Sequence, residues 1–169
     1  ALPERGAEQD ETVPDYQFIT KATEHKTTLN EKACTDPFYE SLKERVEDII
    51  EDWEQDKLDG YDALKDLNDT KKEETSHERT VKDTLKQNAI PTYSLLADHL
   101  DEDKALGFAE DVQQRLSDVQ QSGNKESIQK AIRREFLLAF KEHDELSLIK
   151  DNDALLDQLT QYTYRAHTV

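Results

Sequence analysis

The apolar positions between Asp36 and Trp53, in DPFYESLKERVEDIIEDW, recur every three or four residues, and this spacing constrains the chain more than any other feature. Phe38, Leu42, Val46, Ile49, Ile50 and Trp53 fall on one face of an α-helix, while Glu40, Lys43, Glu44, Glu47, Asp48 and Glu51 take the other. Asp36 can accept a hydrogen bond from the unpaired N–H groups of the first turn, and Pro37 suits the first helical position, where a missing donor costs nothing. A face of this kind must be buried, so Phe38, Leu42, Val46, Ile49 and Trp53 are the candidate core of this helix.

Similar stripes recur further along. Asp59-Gly60 reads as a turn, followed by a shorter helix on Tyr61, Leu64 and Leu67. The segment 68–80, NDTKKEETSHERT, has no apolar residue and reads as a solvated helical continuation or a loop. Val81, Leu85 and Ala89 restore helical spacing up to Pro91, which ends or kinks the segment, and Tyr93, Leu95, Leu96 and Leu100 begin another. Asp101 or Asp103 can cap the stripe Ala105, Phe108, Ala109, Val112, Leu116 and Val119, which stops at Ser122-Gly123-Asn124. Ile128, Ala131, Ile132, Phe136, Leu137 and Phe140 form the next stripe, and Asn152 can cap a last helix bearing Leu155, Leu156, Leu159 and Tyr162. No segment alternates with period two over more than four residues. The expected fold is all-α, an irregular bundle of about six or seven helices over residues 35–169. Residues 1–34 are polar, with Pro3, Pro14 and Thr27-Thr28, and read as an extended or partly ordered arm with a short helix at Thr20 to Ala33.

Charged residues make up 36% of the chain and apolar ones 34%, so the core must come from these few periodic stripes. The net charge of −17 repels a phosphate backbone, which disfavours direct DNA binding by this segment. Such an excess suits a protein from a salt-loving organism or a surface that docks a basic partner, although Lys outnumbers Arg. No apolar run approaches the roughly 18–20 residues needed to span a bilayer, and ALPERGAEQDE lacks the features of a signal peptide, so a cytoplasmic protein without membrane contact is expected. Cys34 is the single cysteine and has no internal partner for a disulfide. The absence of Met points to a piece of a longer protein.

Chemistry-bearing motifs are scarce. There is no GxxxxGK[ST] loop for a nucleotide, and His25, His77, His99, His143 and His167 are dispersed without metal-ligand spacing, so each reads as exposed and without function. Pro14-Asp15 followed by Glu24-His25-Lys26 matches the PD…ExK pattern of Mg²⁺ nucleases, but that pattern needs neighbouring strands, and YQFITKAT offers at most one. The acid pairs Asp48/Asp52 and Glu47/Glu51 read as a solvated face. Lys130, Arg133 and Arg134, interleaved with Ile132 and Phe136, form the one local basic patch and are the candidate contacts to a phosphate or an acidic partner, or offset Glu126 and Glu135. No catalytic, cofactor-binding or metal-ligating residue is assigned.

From Asp36 to Leu67 the chain resembles the C-terminal helical region of the restriction (R) subunit of type I restriction enzymes. In that family a DPxFYxxLxERLEExIxxx helix, then a second helix with a Leu-rich face, follows two motor domains. Asp36, Pro37, Phe38, Tyr39, Leu42, Glu44, Arg45 and Val46 match, with one residue fewer before the aromatic pair, and FITKATEHKTTLNEKA is similar to the stretch leaving the motor. The resemblance implies a parent that is an ATP-driven, Mg²⁺-dependent DNA translocase and endonuclease, whose nuclease and motor motifs lie upstream. This piece would be non-catalytic and would dock the R subunit on the methyltransferase and specificity subunits, meeting DNA only through the parent complex. The alternative is a free-standing acidic helical adaptor or DNA-mimic module.

Overall fold

Asp36 opens the helix at Pro37 as its chemistry dictates: the Phe38 N–H donates to Asp36 Oδ1 at 3.0 Å, and the carboxylate is buried. The computed structural model describes the backbone of residues 2–168 and the side chains of residues 13–168. Among the described residues there are eight helices and no strand: α1 (Leu2–Lys32), α2 (Pro37–Glu54), α3 (Gly60–Lys82), α4 (Ile90–Leu96), α5 (Glu102–Leu116), α6 (Lys125–Glu142), α7 (Leu146–Asp151) and α8 (Leu155–His167). The fold is all-α. The helix expected at Thr20 to Ala33 is the C-terminal part of the longer α1, which contains the buried Pro14. None of the described helices is long and apolar enough to cross a membrane.

The chain forms two compact units. The first takes in the residues up to Ala33 with Tyr39–Arg79, and the second Cys34–Phe38 with the residues from Thr80 onward. In the first unit, Phe18, Ala22 and Leu29 of α1, Leu42 and Val46 of α2, and Ala63 and Leu67 of α3 are fully or almost fully buried. The polar run 68–80 continues α3 as a helix, yet it is not wholly solvated, because Thr70 and His77 turn inward. Small apolar faces on three helices supply this core, and ion pairs close its margins. Lys26 meets Glu47 at 3.6 Å, and Arg45 meets Glu73.

The α2–α3 connection differs from the expected Asp59-Gly60 turn. Asp56 adopts the left-handed conformation (φ 58°), with Asp56 N–H bonded to the Trp53 carbonyl and Lys57 N–H to that of Asp52, the pattern that terminates a helix in a Schellman motif. Asp59 caps α3 through the Asp62 N–H at 2.8 Å. Gly60 is buried because α3 starts against α1: a Cβ there would lie 2.5 Å from Asp15 Oδ1 and 2.8 Å from the Pro14 carbonyl carbon.

In the second unit, α4, α5, α6 and α8 surround Leu96, Phe108, Leu116, Ile132, Phe136, Phe140 and Leu159, with the Phe108 and Phe140 rings 4.7 Å apart. Val81, Leu85 and Ala89 do not form a helix of their own. Val81 lies in the last turn of α3, which ends at Lys82, and Leu85 and Ala89 join this core from the turns before Pro91. Asp101 caps α5 and Asn124 caps α6, while Gly123 at φ 125° supplies the left-handed turn before it. Asn152 is the C-cap of α7 rather than the N-cap of α8, its side chain donating to the Leu148 carbonyl. The short α7 leaves no stripe in the sequence, because Leu146, Leu148 and Ile149 span too few turns.

Candidate interaction site

The candidate core residues of α2 differ in burial. Leu42 and Val46 are buried, and Phe38, Ile49 and Trp53 are half-buried. Trp53 donates its indole N–H to Asp15 Oδ1 at 2.9 Å while its ring lies 5.4 Å from that of Phe18. Tyr39, beside them, donates to Glu78 Oε1 at 2.9 Å.

That tyrosine belongs to a polar network across α1, α2 and α3. Lys32 Nζ bonds Glu74 at 2.8 Å and Glu78 at 3.1 Å and lies over the Tyr39 ring, and His25 Nε2 is 3.5 Å from Glu74 without a hydrogen bond. Burial by itself would lower the Lys32 pKa, but the bonds and charges of Glu74 and Glu78 outweigh it and raise it. Burial likewise opposes ionisation of Glu78, yet bonds from Lys32 and Tyr39 hold its pKa below the ordinary value. At His25 burial dominates; Glu74 opposes it, Lys71 and Lys32 add to it, and the pKa is lowered.

These histidines correct the expectation that each is exposed: His25, His77 and His167 are buried. His167 has Nε2 3.0 Å from the Val119 carbonyl and Nδ1 3.0 Å from the Asn88 amide. The tautomer that satisfies both donates from Nε2 and accepts at Nδ1. His143 is exposed and pairs with Asp111 at 3.0 Å.

Asp15, Glu24 and Lys26, matched above to a nuclease pattern, all lie on α1. Nine positions on one helix put Asp15 and Glu24 about 13 Å apart along the axis and on opposite sides of it. Asp15 is engaged by Trp53 and Lys26 by Glu47. A cavity of about 570 Å³ beside Asp15 is lined by Trp53, Glu54, Asp56, Asp59 and Tyr61. Among the described residues, no three His, Cys, Asp or Glu side chains are grouped so as to hold a metal ion.

The outer face of α6 has a different character. Lys130, Arg133 and Arg134 are all exposed. Lys130, Arg134, Leu137 and Lys141 recur at i, i+4, i+7 and i+11, within about 60° of one another around the helix, with Arg133 and Leu138 flanking them. Leu137 is 41% and Leu138 39% exposed, so Leu137 does not join the buried stripe in which the sequence put it. Ile128, Ile132, Phe136, Ala139 and Phe140 occupy the opposite arc, and with that arc committed to the core Leu137 can only face out. Arg133 Nη1 donates to Asp157 Oδ1 at 2.6 Å, whereas Lys130, Arg134 and Lys141 have no ion pair among the described residues. A groove of about 270 Å³ runs beside Lys130 and Arg133 toward Thr160 and Gln161 of α8, and one of about 250 Å³ runs beside Arg134 on the other flank. The i, i+4, i+7, i+11 spacing of Lys130, Arg134, Leu137 and Lys141 is the signal from which the whole face could have been read.

The candidate residues are thus divided: those of α2 build an interior, and the basic trio of α6 sits on a surface with two exposed leucines. In comparisons with known proteins, no family model matches the chain, and no curated protein or solved structure does so either.

Proposed function

We propose that this chain is a non-catalytic helical docking domain, the C-terminal helical region of a type I restriction R subunit, which seats a cytoplasmic motor on its methyltransferase and specificity core. The observation that carries this reading is the division of labour within the family-like motif. Asp36 caps α2, Pro37 opens it, Tyr39 and Arg45 reach Glu78 and Glu73 of α3, and Leu42 and Val46 are buried. A motif whose members build a bundle suits an assembly module, whose contacts rather than its chemistry carry the work. In the parent, ATP and Mg²⁺ would serve the motor and nuclease, and this domain would hold the motor still while DNA is drawn past it.

The second reading, a free-standing acidic adaptor or DNA mimic, is favoured by the net charge of −17. The two are separated by competition. The chain is expected to displace a full R subunit from the purified methyltransferase and specificity core, and no displacement at any salt where both are folded would refute the docking reading. Helicase motifs in the open reading frame upstream would sink the adaptor.

A further inference from the structure

The α6 face is basic and apolar on a chain whose acidic residues outnumber its basic ones by 39 to 22. We infer that Lys130, Arg134, Leu137, Leu138 and Lys141 form a docking surface for an acidic amphipathic helix of a partner protein. The claim deepens the docking reading and rests on it only for the identity of that partner.

Charge complementarity selects the occupant. Lys130 and Arg134 stand at one end and Lys141 at the other, with Leu137 and Leu138 between, the arrangement of an apolar centre inside a charged rim. From Lys130 to Lys141 the face is about 16 Å long, which three turns of a partner helix cover. Such a helix would set leucine-sized side chains over Leu137 and Leu138 and carboxylates against the cations at both ends, the helix-in-groove mode of recognition. A nucleic-acid backbone fits less well, because two leucines interrupt the row of cations and the net charge of −17 opposes its approach. A second copy using the same face would set cation against cation across the two-fold axis.

The test uses the intact chain and three fluorescent probes: a synthetic helical peptide with glutamates flanking a leucine face, its scrambled version, and a short DNA duplex. The helical peptide is expected to bind with an affinity that falls as salt rises. Lys130→Glu with Arg134→Glu is expected to weaken it about tenfold or more, and Leu137→Ala with Leu138→Ala about tenfold. Lys65→Glu with Lys72→Glu, two exposed lysines of α3, gives the same net charge and is expected to change affinity by less than about twofold. All the mutated positions are exposed, so helix content by circular dichroism should not change.

Failure of the helical peptide to bind, equal binding of the scrambled peptide, an equal loss in the Lys65/Lys72 control, or preference for the duplex would each overturn the inference. So would a dimer that the α6 substitutions dissociate. The methyltransferase and specificity core separates this claim from the one beneath it. If the unaltered chain binds the core and the α6 variants bind equally well, the surface is wrong and the docking reading survives. Peptide binding lost in the α6 variants, without any core binding, retains the surface and removes that partner.

Discussion

The indole N–H of Trp53, at the end of α2, donates to Asp15 Oδ1 of α1 at 2.9 Å, so an aspartate that reads in the sequence as half of a nuclease motif serves as a tie between two helices. Asp15→Ala would leave the indole donor without its partner in a half-buried setting and is expected to destabilise the first unit by about 1–2 kcal/mol. Urea unfolding followed by Trp53 fluorescence reads this directly. An unchanged midpoint would mean that water replaces the carboxylate at no cost.

Gly60 lies against the same aspartate. Gly60→Ala would improve helix propensity but bring a methyl group to 2.5 Å from Asp15 Oδ1 and 2.7 Å from the Asp15 amide nitrogen, and backbone cannot swing aside as a side chain can. Overpacking should win, with a net loss of about 1–3 kcal/mol. A stabilised Gly60→Ala variant in the same urea assay would show that α1 and α3 can separate freely there.

Two aspartates occupy left-handed positions that glycine takes more easily: Asp56 after α2 and Asp144 after α6, at φ 58° and 57°. Each also puts a negative charge at the negative end of a helix dipole. Asp56→Gly and Asp144→Gly are therefore expected to stabilise by about 0.5–1 kcal/mol apiece, less what glycine adds to the entropy of the unfolded chain. Thermal unfolding of the single and double variants would show whether the gains add, as distant sites should.

The pKa of buried His25 lies below its ordinary value of 6.5, so the unfolded chain binds a proton there before the folded one does. Stability is thus full above about pH 6.5 and falls as pH drops through the lowered value. Glu78, also lowered, adds a further loss as pH falls below its ordinary 4.5, while Lys32, raised above 10.5, loses its contribution only as pH climbs past that value. His25→Leu is expected to flatten the loss just below pH 6.5 without lowering stability at pH 7, since it removes a buried ring nitrogen that has no hydrogen bond. Urea midpoints that run parallel for both proteins across that window would exclude His25 as the cause.

Neighbouring residues of α6 should behave oppositely. Phe136 is fully buried and Leu137 is 41% exposed. Phe136→Ala is expected to cost about 3–5 kcal/mol, and Leu137→Ala less than about 0.5 kcal/mol. Comparable losses at the two positions would mean that the face bearing Leu137 is covered.

The sequence by itself determined the all-α class, the α2 helix with its Asp36 cap and Pro37 start, an aspartate cap at 101 or 103 for α5, and most of the buried stripes, whereas Asn124, which reads there as part of a helix stop, is the N-cap of α6. Those follow from periodicity and short-range hydrogen-bonding chemistry, which act over a few residues and are written locally. Tertiary structure decided the rest. Nothing within α3 tells that Thr70 and His77 face inward in an otherwise polar run, or that α3 begins so close to Asp15 that only a glycine fits. The partners of Asp15 and His25 come from other helices and those of His167 from the turns at Asn88 and Val119, so whether each is a reactive group, a surface residue or a buried tie is fixed only when these elements pack. The α6 surface was half legible: the cations could be read one by one, but Leu137 became a surface residue only because Phe136, Ala139 and Phe140 had already filled the arc that faces the core.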